Sequence, residues 1–228
     1  MRECTLYLEE LRIPQGYQIE ILEIKEAESM TAGYNEAMNA SDAKYKIYLH
    51  QDVFIIHKNF LFDMLDIFQN PQIGMIGMVG TPYLWKDGCM WNGVRVGAFY
   101  RVTRNSGGFY PIQSGLLEVE AIDGLLMATQ YDVLWRSDLF QKWDFYDVSQ
   151  CFEFQRKGYK VVVPGQAQAW VIHDCGNQNL TYYDHERALF LSEYSLEMSD
   201  RKNLTAQQYQ RMVREKTETG FVGDINEK

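Results

Sequence analysis

The run Lys46-Ile47-Tyr48-Leu49-His50-Gln51-Asp52-Val53-Phe54-Ile55-Ile56 decides how this chain is read. Its apolar and β-branched residues predict a strand buried on both faces, as in the centre of an α/β sheet. Three polar residues interrupt it. Burying an ionised carboxylate costs on the order of several kcal/mol unless it is paired, hydrogen-bonded or bound to metal, so Asp52 needs a partner. On a strand, His50 and Asp52 present their side chains to one side. They offer a nitrogen and an oxygen donor, suited to a Mn²⁺-like ion holding a diphosphate. The plainer alternative is an Asp that caps the end of a strand.

Working outward, strand-like and helix-like segments alternate. Gln18–Ile24 alternates polar and apolar residues and predicts a strand. Ser29 or Thr31 then opens a helix to about Asn39. Asn59–Phe68 has helical spacing, and Ile73–Val79 reads as a second buried strand. Leu117–Thr129 predicts two short strands, Tyr146–Lys157 a helix stopped by Gly158, and Lys160–Val163 and Ala169–Ile172 two strands. Tyr182–Ser199 predicts another helix. This alternation argues for α/β architecture: one mixed, mostly parallel sheet flanked by helices. Residues 1–198 are expected to form that domain and residues 199–228 a polar C-terminal helix and tail. Tyr83–Tyr110, with its glycines and aromatic residues, among them Phe109, is expected to be a mobile or partly ordered loop bordering a cleft, with Trp85, Trp91 and Tyr110 available for stacking on sugars.

Three further places hold chemistry-bearing side chains. Trp143-Asp144-Phe145-Tyr146-Asp147 opens the helix that ends at Gly158. Acidic residues there stabilise the helix dipole, or one of them serves as a general base. His173-Asp174 follows a strand directly, where a His is either a hydrogen-bonded core residue or a late metal ligand. Asp123-Gly124 lies between two apolar strands and is either a tight turn or part of a site.

Composition sets outer bounds. The chain has 228 residues, 46% hydrophobic and 23% charged, an ordinary globular profile. Its net charge of −9 repels phosphate backbones, so a dedicated nucleic-acid binder is excluded. No apolar run reaches a membrane span, which leaves only peripheral membrane association open. Four cysteines without a C-x-x-C pair fit a reduced, cytoplasmic chain. There is no phosphate-binding P-loop, no G-x-S-x-G and no H-E-x-x-H.

Six stretches in order resemble the family 2 type glycosyltransferases with the GT-A fold, specifically the subgroup related to the streptomycin-biosynthesis glycosyltransferase-like domain. They are Tyr34–Met38, Ala43–Val53, Val119–Thr129, Trp143–Asp147, Gly158–Val161 and Trp170–Gly176, within a similarity that spans about Leu6 to Tyr194. The resemblance implies an inverting transferase that moves a sugar from a nucleotide-diphosphate donor to a glycan or other hydroxyl acceptor. It places His50-Gln51-Asp52 where the family has its D-x-D metal motif, with Asp52 on the divalent metal (Mn or Mg) and His50 in place of the first acid. His173 is implied as a further metal ligand. Asp147 stands where the family's catalytic base stands, with Tyr146 in place of the preceding acid. Asp123 and Gly124, with Trp143 and Asp144, are implied to line the substrate. The fold's first strand is missing from this reading, because Met1-Arg2-Glu3-Cys4 falls in what reads as the following helix, Glu3–Leu11. Two other readings stand beside the enzyme: a non-catalytic GT-A-like module binding a nucleotide-sugar or glycan, and a structural α/β interaction domain.

Overall fold

A computed structural model describes residues 2–102, 115–176, 179–220 and 222. The helices are α1 (Arg2–Glu9), α2 (Met30–Ala40), α3 (Phe60–Ile67), α4 (Tyr146–Arg156), α5 (Tyr183–Glu193) and α6 (Ala206–Thr219). The strands are β1 (Lys46–Leu49), β2 (Val53–Ile55), β3 (Ile73–Gly77), β4 (Val79–Thr81), β5 (Val96–Gly97) and β6 (Tyr100–Arg101). They continue with β7 (Leu116–Val119), β8 (Ala121–Ile122), β9 (Leu126–Thr129), β10 (Lys160–Pro164) and β11 (Val171–His173).

The central sheet has the order β1-β9-β3-β10-β7, and two three-stranded sheets, β2-β11-β6 and β5-β4-β8, flank it. Successive residues of a strand face opposite sides. Met75 of β3 and Val161 and Val163 of β10 therefore join one core, with α4, α5, Trp135 and Phe140. Ile76 of β3 and Val162 of β10 join the other, with α3, β2, Trp170 and Leu11, as does Ile73, which lies beyond a register shift in the β3–β10 pairing. The result is a mixed α/β domain of GT-A-like form.

Local signals explain several boundaries. Ser29 accepts the N–H of Ala32 and starts α2. Gly158 takes φ +84, a left-handed conformation that ends α4 at the expected glycine. Three expectations need correction. In the central sheet only the β3–β10 pairing is parallel; β1–β9, β9–β3 and β10–β7 are antiparallel, so the sheet is mixed but not mostly parallel. The reason is the excursion after β4, which returns the chain as β7, β8 and β9 running against their neighbours. Second, the apolar runs Lys46–Ile56 and Ile73–Val79 are each two strands that change sheets, β1 to β2 and β3 to β4. Third, Gln18–Ile24 pairs with no strand among the described residues. Ile19, Ile21 and Leu22 stay exposed. Alternation supplies the side-chain pattern of a strand, but a ladder also needs a neighbouring backbone edge.

The described part of the glycine and aromatic excursion is packed rather than loose. Leu84 and Met90 are buried, and Trp85 stacks edge-on to Tyr209 of α6. Tyr209 Oη donates to the carbonyl of Tyr83 at 2.8 Å and accepts the N–H of Val94 at 3.0 Å. The buried Arg201 ahead of α6 clasps Glu120, Nη1 to Oε2 at 2.6 Å and Nη2 to Oε1 at 2.5 Å. Phe109 and Tyr110 of the expected loop lie outside the described residues.

Candidate active site

The β1–β9 ladder ends where Leu49 faces Leu126. Beyond that point the chain turns, with the N–H of His50 bonded to the carbonyl of Leu125 and that of Val53 to the carbonyl of His50. His50 and Asp52 thus sit on a turn at the carboxyl end of β1, which is an edge strand of the central sheet rather than the expected central strand buried on both faces. β11 runs antiparallel to β2, with His173 opposite Val53, and the N–H of Asp174 bonds the carbonyl of Asp52. This pairing brings His173 beside Asp52, its Nε2 3.5 Å from Asp52 Oδ1. One ligand atom from each of His50, Asp52 and His173 lies within 4.8 Å of the others. Two imidazole nitrogens and one carboxylate oxygen at that spacing fit a single divalent cation.

The electrostatics agree with that use. Burial, and after it the neighbouring His173, push the His50 imidazole down, against the opposing pull of Asp123 and Asp52. Burial raises the Asp52 carboxyl, but the hydrogen bond and charge of His173, together with His50, outweigh it and hold Asp52 below the usual carboxylate range. A nitrogen kept neutral and an oxygen kept ionised are the states in which each binds a metal.

His50 is oriented by a residue that the sequence reading treated only as a departure from the family pattern. Tyr146 Oη lies 2.5 Å from His50 Nε2. With Nε2 engaged by Tyr146, a cation would take the other ring nitrogen, the arrangement in which a metal-bound His is fixed through a second hydrogen bond. Tyr146 is buried in an aromatic group with Tyr34 and Trp135. No sequence signal pairs a Tyr at the start of α4 with a His after β1; their packing does.

Asp147 is the next residue. Its Oδ2 accepts the N–H of Gly124 at 2.9 Å and its Oδ1 the N–H of Val148 at 2.8 Å. Burial first, and the nearby Asp123 second, push its carboxyl up to about 7. Asp123 accepts the N–H of Leu125 at 2.8 Å and forms the turn with Gly124. A Cβ on Gly124 would collide with the Tyr146 hydroxyl, so only glycine lets this turn approach α4. Asp147, Asp123 and Gly124 therefore form one group, tied through Tyr146 to His50. Trp143 and Asp144 lie on the loop just before, the indole 52% exposed. Phe145, between Asp144 and Tyr146, takes φ +54, a left-handed conformation that costs a non-glycine residue about 1–2 kcal/mol. Burial against Tyr183 and Phe190 holds it there.

Phe99 lies with its ring 6.0 Å from His173, so the described part of the excursion borders the site. Among the described residues, no helix is long and apolar enough to cross a membrane. No curated protein matches the chain. A family model described as glycosyltransferase like matches residues 1–194. With a mixed α/β fold and a polar site at the carboxyl end of β1, the chain belongs to this glycosyltransferase-like family.

Proposed function

We propose that this transferase moves a sugar from a nucleotide-diphosphate donor to a hydroxyl of a glycan or similar acceptor, with inversion. The observation that carries the reading is the convergence of His50, Asp52 and His173 from separate parts of the chain onto one point. Two imidazoles and a carboxylate favour Mn²⁺ over Mg²⁺, which prefers an all-oxygen shell. When bound, the cation neutralises the charge of the departing diphosphate.

The chain's own residues supply the rest. Asp147, at about 7, is poised to take the acceptor hydroxyl proton near neutral pH. One base acting on the acceptor while the diphosphate leaves from the opposite side gives direct displacement, hence inversion. The N–H groups of Gly124 and Val148 hold the carboxylate in place, and the turn at Asp123 and Gly124 lines the donor sugar. Trp143 and Asp144 extend the surface toward the substrate. The four cysteines are unpaired and buried, in keeping with a cytoplasmic setting.

The test is calorimetry of UDP, GDP and dTDP with and without Mn²⁺, followed by nucleotide release from the matching sugar donors. Expected is a nucleotide affinity that rises with Mn²⁺ and falls about tenfold or more in Asp52→Ala. Nucleotide binding that ignores both Mn²⁺ and Asp52 refutes the assignment. Binding without release or transfer from any donor converts the reading to a nucleotide-sugar-binding module.

A further inference from the structure

Glu186, in the first turn of α5, is 1% exposed. Its Oε1 accepts the N–H of Lys142 at 2.8 Å and its Oε2 the N–H of Asp144 at 3.0 Å. The backbone of Gln141 hydrogen-bonds to the same carboxylate. Burial, with the charge of Asp144, raises the Glu186 carboxyl despite these bonds. A desolvated carboxylate is costly, and what it secures here is the place of one loop without regular secondary structure. The other side of that loop is pinned by the N–H of Met30, which donates to the carbonyl of Lys142 at 3.1 Å. Its end is pinned by Phe145, packed on Tyr183 and Phe190 of the same helix α5.

Between these anchors stands Trp143, whose large indole is half in solvent rather than in the core. Asp144 is only partly buried, and desolvation raises its carboxyl. A loop held at several backbone points to present an unpacked ring and a carboxylate is a preorganised surface. The ring offers a flat face for the C–H side of a pyranose, and the carboxylate accepts from its hydroxyls.

We propose that Glu186 is a positioning residue, holding the Lys142–Asp144 loop so that Trp143 and Asp144 form a pyranose platform beside Asp147. The proposal rests on the reading of Trp143 and Asp144 as substrate-binding residues. Glu is required at position 186 because the N–H groups of Lys142 and Asp144 each bond a different one of its two oxygens. A Gln would turn its NH₂ against one of those N–H groups.

The experiment uses the full chain, labelled with ¹⁵N. In wild type, the Lys142 and Asp144 amides are expected to exchange at least about tenfold more slowly than unprotected loop amides. Exchange at the unprotected rate overturns the clamp without need of any variant. The Trp143 indole signal, identified by its loss in Trp143→Phe, is then followed during titration with methyl glucoside, galactoside, mannoside and N-acetylglucosaminide. A saturable shift with at least one of them is expected, and no shift with all four overturns the platform. In Glu186→Gln the affinity for that pyranoside is expected to fall about fivefold or more, with Mn²⁺ affinity unchanged. Equal pyranoside affinity in the variant overturns the positioning role. Absence of Mn²⁺ binding in wild type overturns the metal-dependent reading of the site by itself, leaving the exchange and pyranoside results to decide on Glu186.

Discussion

Replacing Asp147 by Asn removes a titrating group from the start of α4 while keeping its size and one acceptor oxygen. The Asp147 carboxyl is raised from 3.8 to about 7. Because the folded chain holds this proton more tightly than the unfolded chain, stability falls as pH climbs from about 4 to about 7 and stays at the lower level above that. At about 1.4 kcal/mol per unit, the ceiling on the loss is about 4 kcal/mol. The side chain is partly exposed, and screening reduces the expected figure to about 2–3 kcal/mol. Against this, Asn can accept only one of the two N–H groups of Gly124 and Val148, which costs about 1 kcal/mol at every pH. Asp147→Asn is therefore expected to be less stable than wild type near pH 4 and more stable by about 1–2 kcal/mol at pH 8, with the two curves crossing between. Urea denaturation across that range, with m-values checked for constancy, measures both ends. Turnover should fall by about 10²–10⁴ above about pH 7, where wild-type Asp147 is ionised, and by less as pH drops and the wild-type carboxyl takes up its proton, because Asn cannot take a proton at any pH. A variant destabilised equally at all pH values would show that Asp147 is ionised and merely caps α4. Wild-type turnover would remove it as the base.

Other substitutions probe the rest of the site and its frame. Tyr146→Phe should weaken Mn²⁺ binding by about 10–100-fold in calorimetry, because His50 loses the bond that orients it; unchanged affinity would remove Tyr146 from the site. Gly124→Ala should lower stability by about 1–3 kcal/mol and displace Tyr146, read as a lower melting temperature together with weaker Mn²⁺ binding. Glu120→Gln should cost about 3–5 kcal/mol in urea denaturation, since it leaves the Arg201 guanidinium buried with only the exposed Asp200 as an anionic neighbour; a loss under about 1 kcal/mol would show that the pair is solvated in solution.

Local chemistry was enough for much of the fold. Periodicity placed α2, α3, α4 and α5, Ser29 and Gly158 marked where helices begin and end, and the apolar runs found the buried strands. These features depend on side-chain spacing and on single-residue backbone preferences, which a sequence carries directly. The candidate site was partly legible for a similar reason: a histidine and a carboxylate inside an apolar run, as in His50-Gln51-Asp52, need a partner whatever the fold. Pairing was not legible. Whether Gln18–Ile24 finds a neighbouring edge, whether Lys46–Ile56 is one strand or two, and which way β7 and β9 run all depend on backbones distant in sequence. Tertiary structure alone set Tyr146 against His50, Asp147 under Gly124 and Glu186 behind the Lys142–Asp144 loop. Each of those contacts joins side chains or backbone groups at least 23 positions apart, a distance at which neither helical nor strand periodicity carries information and only the packing of elements into one core decides who meets whom.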